Sequence, residues 1–264
     1  MLVESLEEPL TAALVAAVDR QLARAGFGLV IATASSTPDA STLRARELLA
    51  RGVDAVIFWD LQLSAETVAF ATAQAVPWMV LGEGGLPDSH SVPLGRRKGI
   101  ELACRYLASL SHERFAAAAT ADSSLTHMVA DALVGTSAKL ILAERAPGEA
   151  GDNPGLRGVA SGLLDRSDRP TAIVCRSDLE AVAVLRECHA RDIGVPREIS
   201  VVGFGDSDLA RNAWPALTTV RVSADQVAAQ ALSRLLATSD DQSEQAIEPS
   251  VKLVVRESSA SAPR

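Results

Sequence analysis

The chain has 264 residues, of which 48% are hydrophobic and only 3% aromatic; that suffices to bury one large core or two modest ones, built on Ala, Val and Leu rather than on rings. A net charge of −8 excludes any general attraction for phosphate backbones, so the chain as given is not expected to bind DNA non-specifically. Three cysteines, Cys104, Cys175 and Cys188, without metal-ligand spacing argue against a disulfide framework and for a reducing compartment.

Taken in order, Met1-Leu2-Val3 is a very short apolar run, the remnant of a first strand. MLVESLEEPLTAAL has no basic region followed by an apolar stretch, and no window reaches the length of a membrane span, so a cytoplasmic location is expected. Leu10, Leu14, Val18 and Leu22 recur at helical spacing, Gly26 supplies the stop, and Leu29–Ala32 reads as a buried strand. The unit repeats: a helix from Thr37-Pro38-Asp39 to Arg51, strand Val53–Trp59, helix Ser64–Ala75 and strand Pro77–Leu81. Gly82–Val92 is a Gly/Pro/Asp/Ser-rich loop, followed by a helix over about Arg97–Leu110.

A second series starts near Ser111-His112-Glu113. It comprises strand Phe115–Ala121, helix Ser124–Val134, strand Lys139–Ala143, a loose loop Pro147–Pro154 and a short helix to Leu164. Then come strand Ala172–Cys175, a helix ending at Gly194 and Pro196, strand Ile199–Phe204, strand Thr218–Val222, and a helix to Leu236. Ser239–Glu248 is a polar connection, Val251–Val255 the last strand, and Ser259–Arg264 a frayed end. Short apolar strands alternating with helices imply parallel sheets, and two series of similar size imply two lobes.

Arg169–Val222 is the most informative stretch. Ligands in parallel sheets sit outside the carboxyl ends of strands, so Arg176-Ser177-Asp178 and Gly205-Asp206-Ser207 should face one site. Each residue also has a purely structural reading. Ser177 with Glu180 forms a capping box, and Ser223 with Gln226 another. Asp178 lies where a helix dipole favours a carboxylate, and Asp206 and Asp208 lie in a turn where Asp is common. Arg96-Arg97-Lys98 reads as a solvated charge run, with an anionic ligand as the alternative.

The combined stretch PTAIVCRSDLEAVAVLRECHARDIGVPREISVVGFGD, then PALTTVRV and later KLVVRESS, resembles the effector-binding domain of LacI (lactose-repressor) family transcription regulators. EEPLTAALVAAVDRQLARAGFGLVIATA, RGVDAVIFW and RYLASLSHERFA agree more loosely, so essentially the whole chain is covered. The resemblance implies an α/β, two-lobed, type I periplasmic-binding-protein-like fold, each lobe a parallel sheet flanked by helices, with three interlobe crossovers. The first lobe is expected at 1–113 plus 221–245 and the second at 114–220 plus 246–264, with the family's N-terminal helix-turn-helix domain absent from this chain. It further implies a homodimer that binds a small metabolite, sugar-like or other, in the interlobe cleft, and reaches operator DNA only through that missing head. A repressor without cofactor, metal or membrane partner is expected.

The departures concern the ligand. The family's Asn-Asp becomes Ser177-Asp178, its GFDD becomes Gly203-Phe204-Gly205-Asp206, and its N-P-F-F turn becomes Glu8-Pro9-Leu10-Thr11. Arginines of the family's S-S-x-A-R-x-R region are replaced by His127 and Val129, and its D-N-x-x-G-like segment becomes Gly95-Arg96-Arg97-Lys98-Gly99. The ligand-binding residues implied by position are Ser177, Asp178, Asp206, Gly205, His127, Phe204, Pro9 and Leu10, with Trp59 as the aromatic candidate for the cleft wall. A standard monosaccharide is disfavoured, because hydroxyls need several matched partners to offset desolvation. A solute-binding protein of a transport system is the alternative. An enzyme is not expected, since no G-x-S-x-G, H-E-x-x-H or Walker sequence occurs.

Overall fold

The computed structural model describes residues 1–34, 38–61, 63–74, 76–83, 90–118, 123–142, 156–236 and 249–263. These divide into two compact units, Met1–Arg96 with Ser223–Ser250 and Arg97–Val222 with Val251–Arg264, and the chain crosses between them after Arg96, Val222 and Ser250.

The first unit starts on Leu2–Val3 (β1), which despite its length lies inside a sheet rather than at its margin. Leu2 pairs in parallel with Ala32 on one side and with Phe58 on the other. Around it stand Ala32–Thr33 (β2), Val56–Trp59 (β3), Trp78–Leu81 (β4) and Ser91–Val92 (β5), all parallel, in the order β2-β1-β3-β4-β5. Helices Pro9–Arg24 (α1), Pro38–Ala50 (α2) and Ala65–Ala73 (α3) follow β1, β2 and β3. Pro9 opens α1, where its missing N–H costs nothing. Ser64 caps α3, accepting from the Thr67 N–H at 3.1 Å.

The expected strand Leu29–Ala32 is shifted toward Ala32–Thr33, and its burial is corrected. β2 is an edge strand, so Val30 and Ile31 are exposed although their sequence is as apolar as that of any core strand. Burial there is decided by the missing neighbour rather than by residue type.

The second unit holds Arg114–Ala117 (β6), Lys139–Leu140 (β7), Ala172–Val174 (β8), Ser200–Gly205 (β9), Thr218–Val222 (β10) and Val251–Val254 (β11), in the order β11-β10-β9-β8-β6-β7. All pairs are parallel except β10–β11, which is antiparallel, so this sheet is mixed at one edge. Its helices are Arg96–Ser109 (α4), Ser124–Leu133 (α5), Leu156–Leu164 (α6), Asp178–Ala190 (α7) and the short Asp208–Asn212 (α8). Ala224–Leu236 (α9) returns to the first unit, where Asp225 pairs with Arg20 of α1 at 2.7 Å and accepts from Gln21 through its carbonyl at 3.0 Å.

Helix α4 was assigned from the sequence to the first lobe, yet it packs on the second sheet. A Cβ on Gly99 would lie 2.7 Å from Val220 Cγ1 and 2.9 Å from Phe204 Cε2, so α4 seats its glycine directly on β9 and β10. The boundary therefore falls at Arg96.

The C-terminal end is likewise corrected. Ser258 and Ser259 are buried rather than frayed. Ala260 N–H donates to Ser200 Oγ at 3.1 Å and Ala262 N–H to the Leu110 carbonyl at 2.8 Å. Buried His112 closes this seam, with Nδ1 3.0 Å from Thr171 Oγ1 and Nε2 3.0 Å from both Ser200 Oγ and the Ala260 carbonyl. The expected segments 84–89, 143–155 and 239–248 lie outside the described residues.

Candidate functional site

In both units the strand-to-helix turns collect at the carboxyl ends of parallel strands, where open α/β sheets bind ligands. The chemistry is set by which side chains those turns leave exposed and which they consume.

At the carboxyl end of the first sheet, β3 ends on Trp59. Its ring is 4% exposed and its Nε1–H donates to Thr11 Oγ1 at 2.7 Å, tying β3 to the first turn of α1. Trp59 is thus a buried strut, not an open aromatic wall. Pro9 and Leu10 lie in the same first turn, Pro9 half-buried and Leu10 buried, as apolar supports of α1.

The next residue, Asp60, takes φ of +48°, and Gly82 at the end of β4 has φ of +140° with room for a Cβ only 3.1 Å from Asp60 Oδ1. Asp60 accepts from Arg96 Nη2 at 3.1 Å, while Glu83 Oε1 accepts from the Arg96 N–H at 2.7 Å. The Arg96 side chain is only 7% exposed. The solvated-run reading of Arg96-Arg97-Lys98 is therefore wrong for Arg96. Asp60 compensates the guanidinium, and Glu83 accepts from the helix N-terminus, where the dipole favours a carboxylate and disfavours a cation.

At the carboxyl end of the second sheet, Ser177 caps α7, accepting from the Glu180 N–H at 3.2 Å, and Glu180 reaches back to the Arg176 N–H at 2.9 Å. The reciprocal pattern is the one its sequence announces, displaced by one residue on the return bond. Ser177 is buried, so its hydroxyl is spent on the backbone.

Asp178 is 1% exposed. One oxygen accepts from the Ser207 N–H at 2.7 Å and the Ser207 hydroxyl at 2.8 Å, and the other from the Thr219 hydroxyl. It passes so close over β9 that a Cβ on Gly203 would sit 2.5 Å from Oδ1. Asp178 thus stitches α7, the turn after β9, and β10 together.

Asp206 follows β9 in the left-handed region, with φ of +55°. Its carboxylate is 4% exposed and accepts from Arg221 Nε at 2.6 Å and from Arg256 Nη2, with Arg211 Nη1 3.7 Å away. Burial opposes ionisation, but the hydrogen bonds and charges of Arg256 and Arg221 outweigh it and hold the carboxyl below the usual carboxylate range. Gly205, with φ of +129°, offers no side chain at all.

Phe204 is 1% exposed, under Gly99 of α4, and belongs to the core. His127 is exposed in the first turn of α5.

Of the nine sequence candidates, then, Asp178 and Asp206 meet in one network through the Thr219 hydroxyl, where their carboxylates are consumed, and Ser177 is spent on its own helix cap. His127 keeps an exposed polar side chain. The residues that sequence reasoning missed are the arginines Arg211, Arg221 and Arg256, which lie 5, 15 and 50 positions from Asp206. Arg221 and Arg256 each lie inside a quoted motif, PALTTVRV and KLVVRESS, whereas Arg211 carried no signal. The three cysteines are buried, and burial pushes Cys104 up to about 12, Cys188 up to about 11 and Cys175 well above its ordinary value, so none is a thiolate near neutral pH.

This architecture matches known proteins along its whole length. Residues 104–259 match the periplasmic binding protein-like domain. The chain is 32% identical to the HTH-type transcriptional regulator MalR of Streptomyces coelicolor, across all of this chain and 80% of that protein. The chain belongs to the LacI family of transcriptional regulators.

Among solved structures, the LacI-family regulator from Lactobacillus casei with bound sucrose is 26% identical, with a TM-score of 0.77 and 98% of each chain covered. A LacI-family regulator from Burkholderia phymatum has a TM-score of 0.81 at 22% identity over 98% of each chain, a likeness of fold. The fold expected from the sequence, α/β and periplasmic-binding-protein-like, is the one found. No described helix is long and apolar enough to cross a membrane.

Proposed function

We propose that this chain is the effector-sensing and dimerising domain of a LacI-type cytoplasmic repressor, and that a small metabolite bound at the carboxyl ends of the strands controls operator binding by a helix-turn-helix head. The observation that carries this reading is the similarity to a transcriptional regulator over the entire chain. It also weighs against the transport alternative and against an enzyme. The sucrose held by the Lactobacillus casei relative makes a sugar-like or related polar metabolite the natural starting class.

An effector can act only through unequal affinity for two arrangements of the domain. The polar networks supply rigid bodies for such a switch. Asp178 and Asp206 fasten β8, β9, β10 and β11 into one piece, and Arg96 ties the ends of β3 and β4 together.

A second copy of the chain is the partner we assign to the edge of the first sheet. Leu6, Val30 and Ile31 are exposed there beside an open groove of about 360 Å³ that also takes in Leu48 and the Arg44–Glu47 ion pair. Exposed apolar residues along an unpaired strand form a surface that association would cover.

The direct test joins this chain to a helix-turn-helix head and measures operator affinity with and without a metabolite panel. At least a fivefold change by one metabolite, with saturable binding to the isolated chain, is expected. Operator affinity unmoved by every metabolite, together with a monomer by light scattering at high concentration, would refute the reading.

A further inference from the structure

We propose that the carboxyl end of the second sheet recognises an oxyanion on the effector, a phosphate or carboxylate, through the guanidinium groups of Arg221 and Arg211. The proposal rests on the sensor reading above and narrows its ligand class.

Register carries the first part of the argument. Arg221 of β10 is paired with Gly205 of β9 in a parallel ladder, and residues in register present side chains on the same face. Position 205 is a glycine with φ of +129°, so no side chain of β9 stands beside Arg221 at that register.

Hydrogen bonding carries the second part. Arg221 spends Nε on Asp206, and its terminal nitrogens make no hydrogen bond with any described residue; its side chain is 55% exposed. Arg211, half-exposed, donates from Nη1 to the Asp206 carbonyl at 3.0 Å and lies 3.7 Å from the same carboxylate. Two exposed guanidinium groups therefore flank one buried carboxylate, whose charge is shared with a third, Arg256. The further partner of Arg211, Asp208, is 86% exposed, and such a pair holds it weakly.

The other strand ends agree. Arg176, half-exposed after β8 and paired through Nε with Glu180, and His127, exposed after β6, face the same end of the sheet; of the carboxylates there, Asp178, Glu180 and Asp206 are buried and Asp208 is exposed. Guanidinium groups only donate hydrogen bonds, so a ligand facing them must bring acceptors, and a planar or tetrahedral oxyanion matches the fork in pairs.

The experiment is calorimetry on the full chain with matched probes: glucose 6-phosphate, glucuronate and inorganic phosphate against glucose and maltose. Saturable binding of at least one oxyanion probe, absent or at least tenfold weaker for its neutral counterpart, is expected. Arg221→Gln should weaken it at least tenfold, Arg221→Lys less, and raising salt from about 50 to about 300 mM should weaken it further. Arg211→Gln, on the short α8, repeats the test should Arg221→Gln disturb folding as judged by thermal melts. A neutral sugar bound as tightly as its charged counterpart, and unaffected by both substitutions, overturns the proposal and leaves the sensor reading standing. No saturable binding by any probe, charged or neutral, counts against both.

Discussion

Asp178 separates a ligand contact from a structural tie, because either role fits its position in the sequence. Replacing Asp178 by Ala removes an acceptor of three hydrogen bonds, from the Ser207 N–H, the Ser207 hydroxyl and the Thr219 hydroxyl. Bonds to a charged group contribute about 1.5–3 kcal/mol each. Ser207 is partly exposed, so water can replace much of what its two donors lose. Thr219 is 0% exposed and pairs where water has no access. Together the loss is expected to be about 3–5 kcal/mol, the range for breaking a buried charged network. At about 2–4 °C per kcal/mol for a chain of this size, Tm should fall by roughly 10 °C. Urea unfolding followed by circular dichroism measures the change, and Asp178→Asn, which keeps one acceptor, should lose less. A stability unchanged to within about 0.5 kcal/mol with lost effector affinity would refute the structural assignment and restore Asp178 as a ligand group.

Gly99→Ala should destabilise by about 1–3 kcal/mol through overpacking against Val220 and Phe204, despite a gain of about 1 kcal/mol in helix propensity; equilibrium unfolding measures it. Burial lowers the pKa of His112 from its ordinary value, against a smaller opposing effect of the Ala260 carbonyl, so the unfolded chain binds the proton more readily. Stability should therefore fall as pH drops below about 6.5 toward the lower folded-state value, and His112→Asn should flatten that slope in urea titrations between pH 5 and 8. Asp206 has the opposite pH window: its depressed pKa contributes stability above the ordinary carboxylate range that is lost as pH falls through the folded-state value. Asp206→Asn should accordingly cost more at pH 7 than at pH 3, measured by thermal melts. Trp59→Phe should cost about 1–2 kcal/mol by leaving Thr11 without its indole donor in a buried setting, checked by urea unfolding.

What the sequence determined by itself was local. Alternating apolar strands and amphipathic helices announced parallel sheets, and the order of motifs from Pro170 to Ser258 announced the family. Ser177-x-x-Glu180 announced a cap that the structure contains almost as written. The cap and the periodicities depend on residues a few positions apart, and the motif order on linear sequence alone, so a chain read in order holds them.

Tertiary structure decided everything that depends on a distant partner. Leu29–Ile31 has the composition of a core strand, but its position at the sheet edge leaves Val30 and Ile31 exposed. The last residues look like a free polar end, but Ser200 and Leu110 capture them. Asp178 and Asp206 were legible as carboxylates at the ends of strands. The donors that reach them in the fold are Thr219, 41 residues from Asp178, and Arg221 and Arg256, 15 and 50 residues from Asp206. A carboxylate's function follows from the donors that reach it first, and folding alone brings those donors into place.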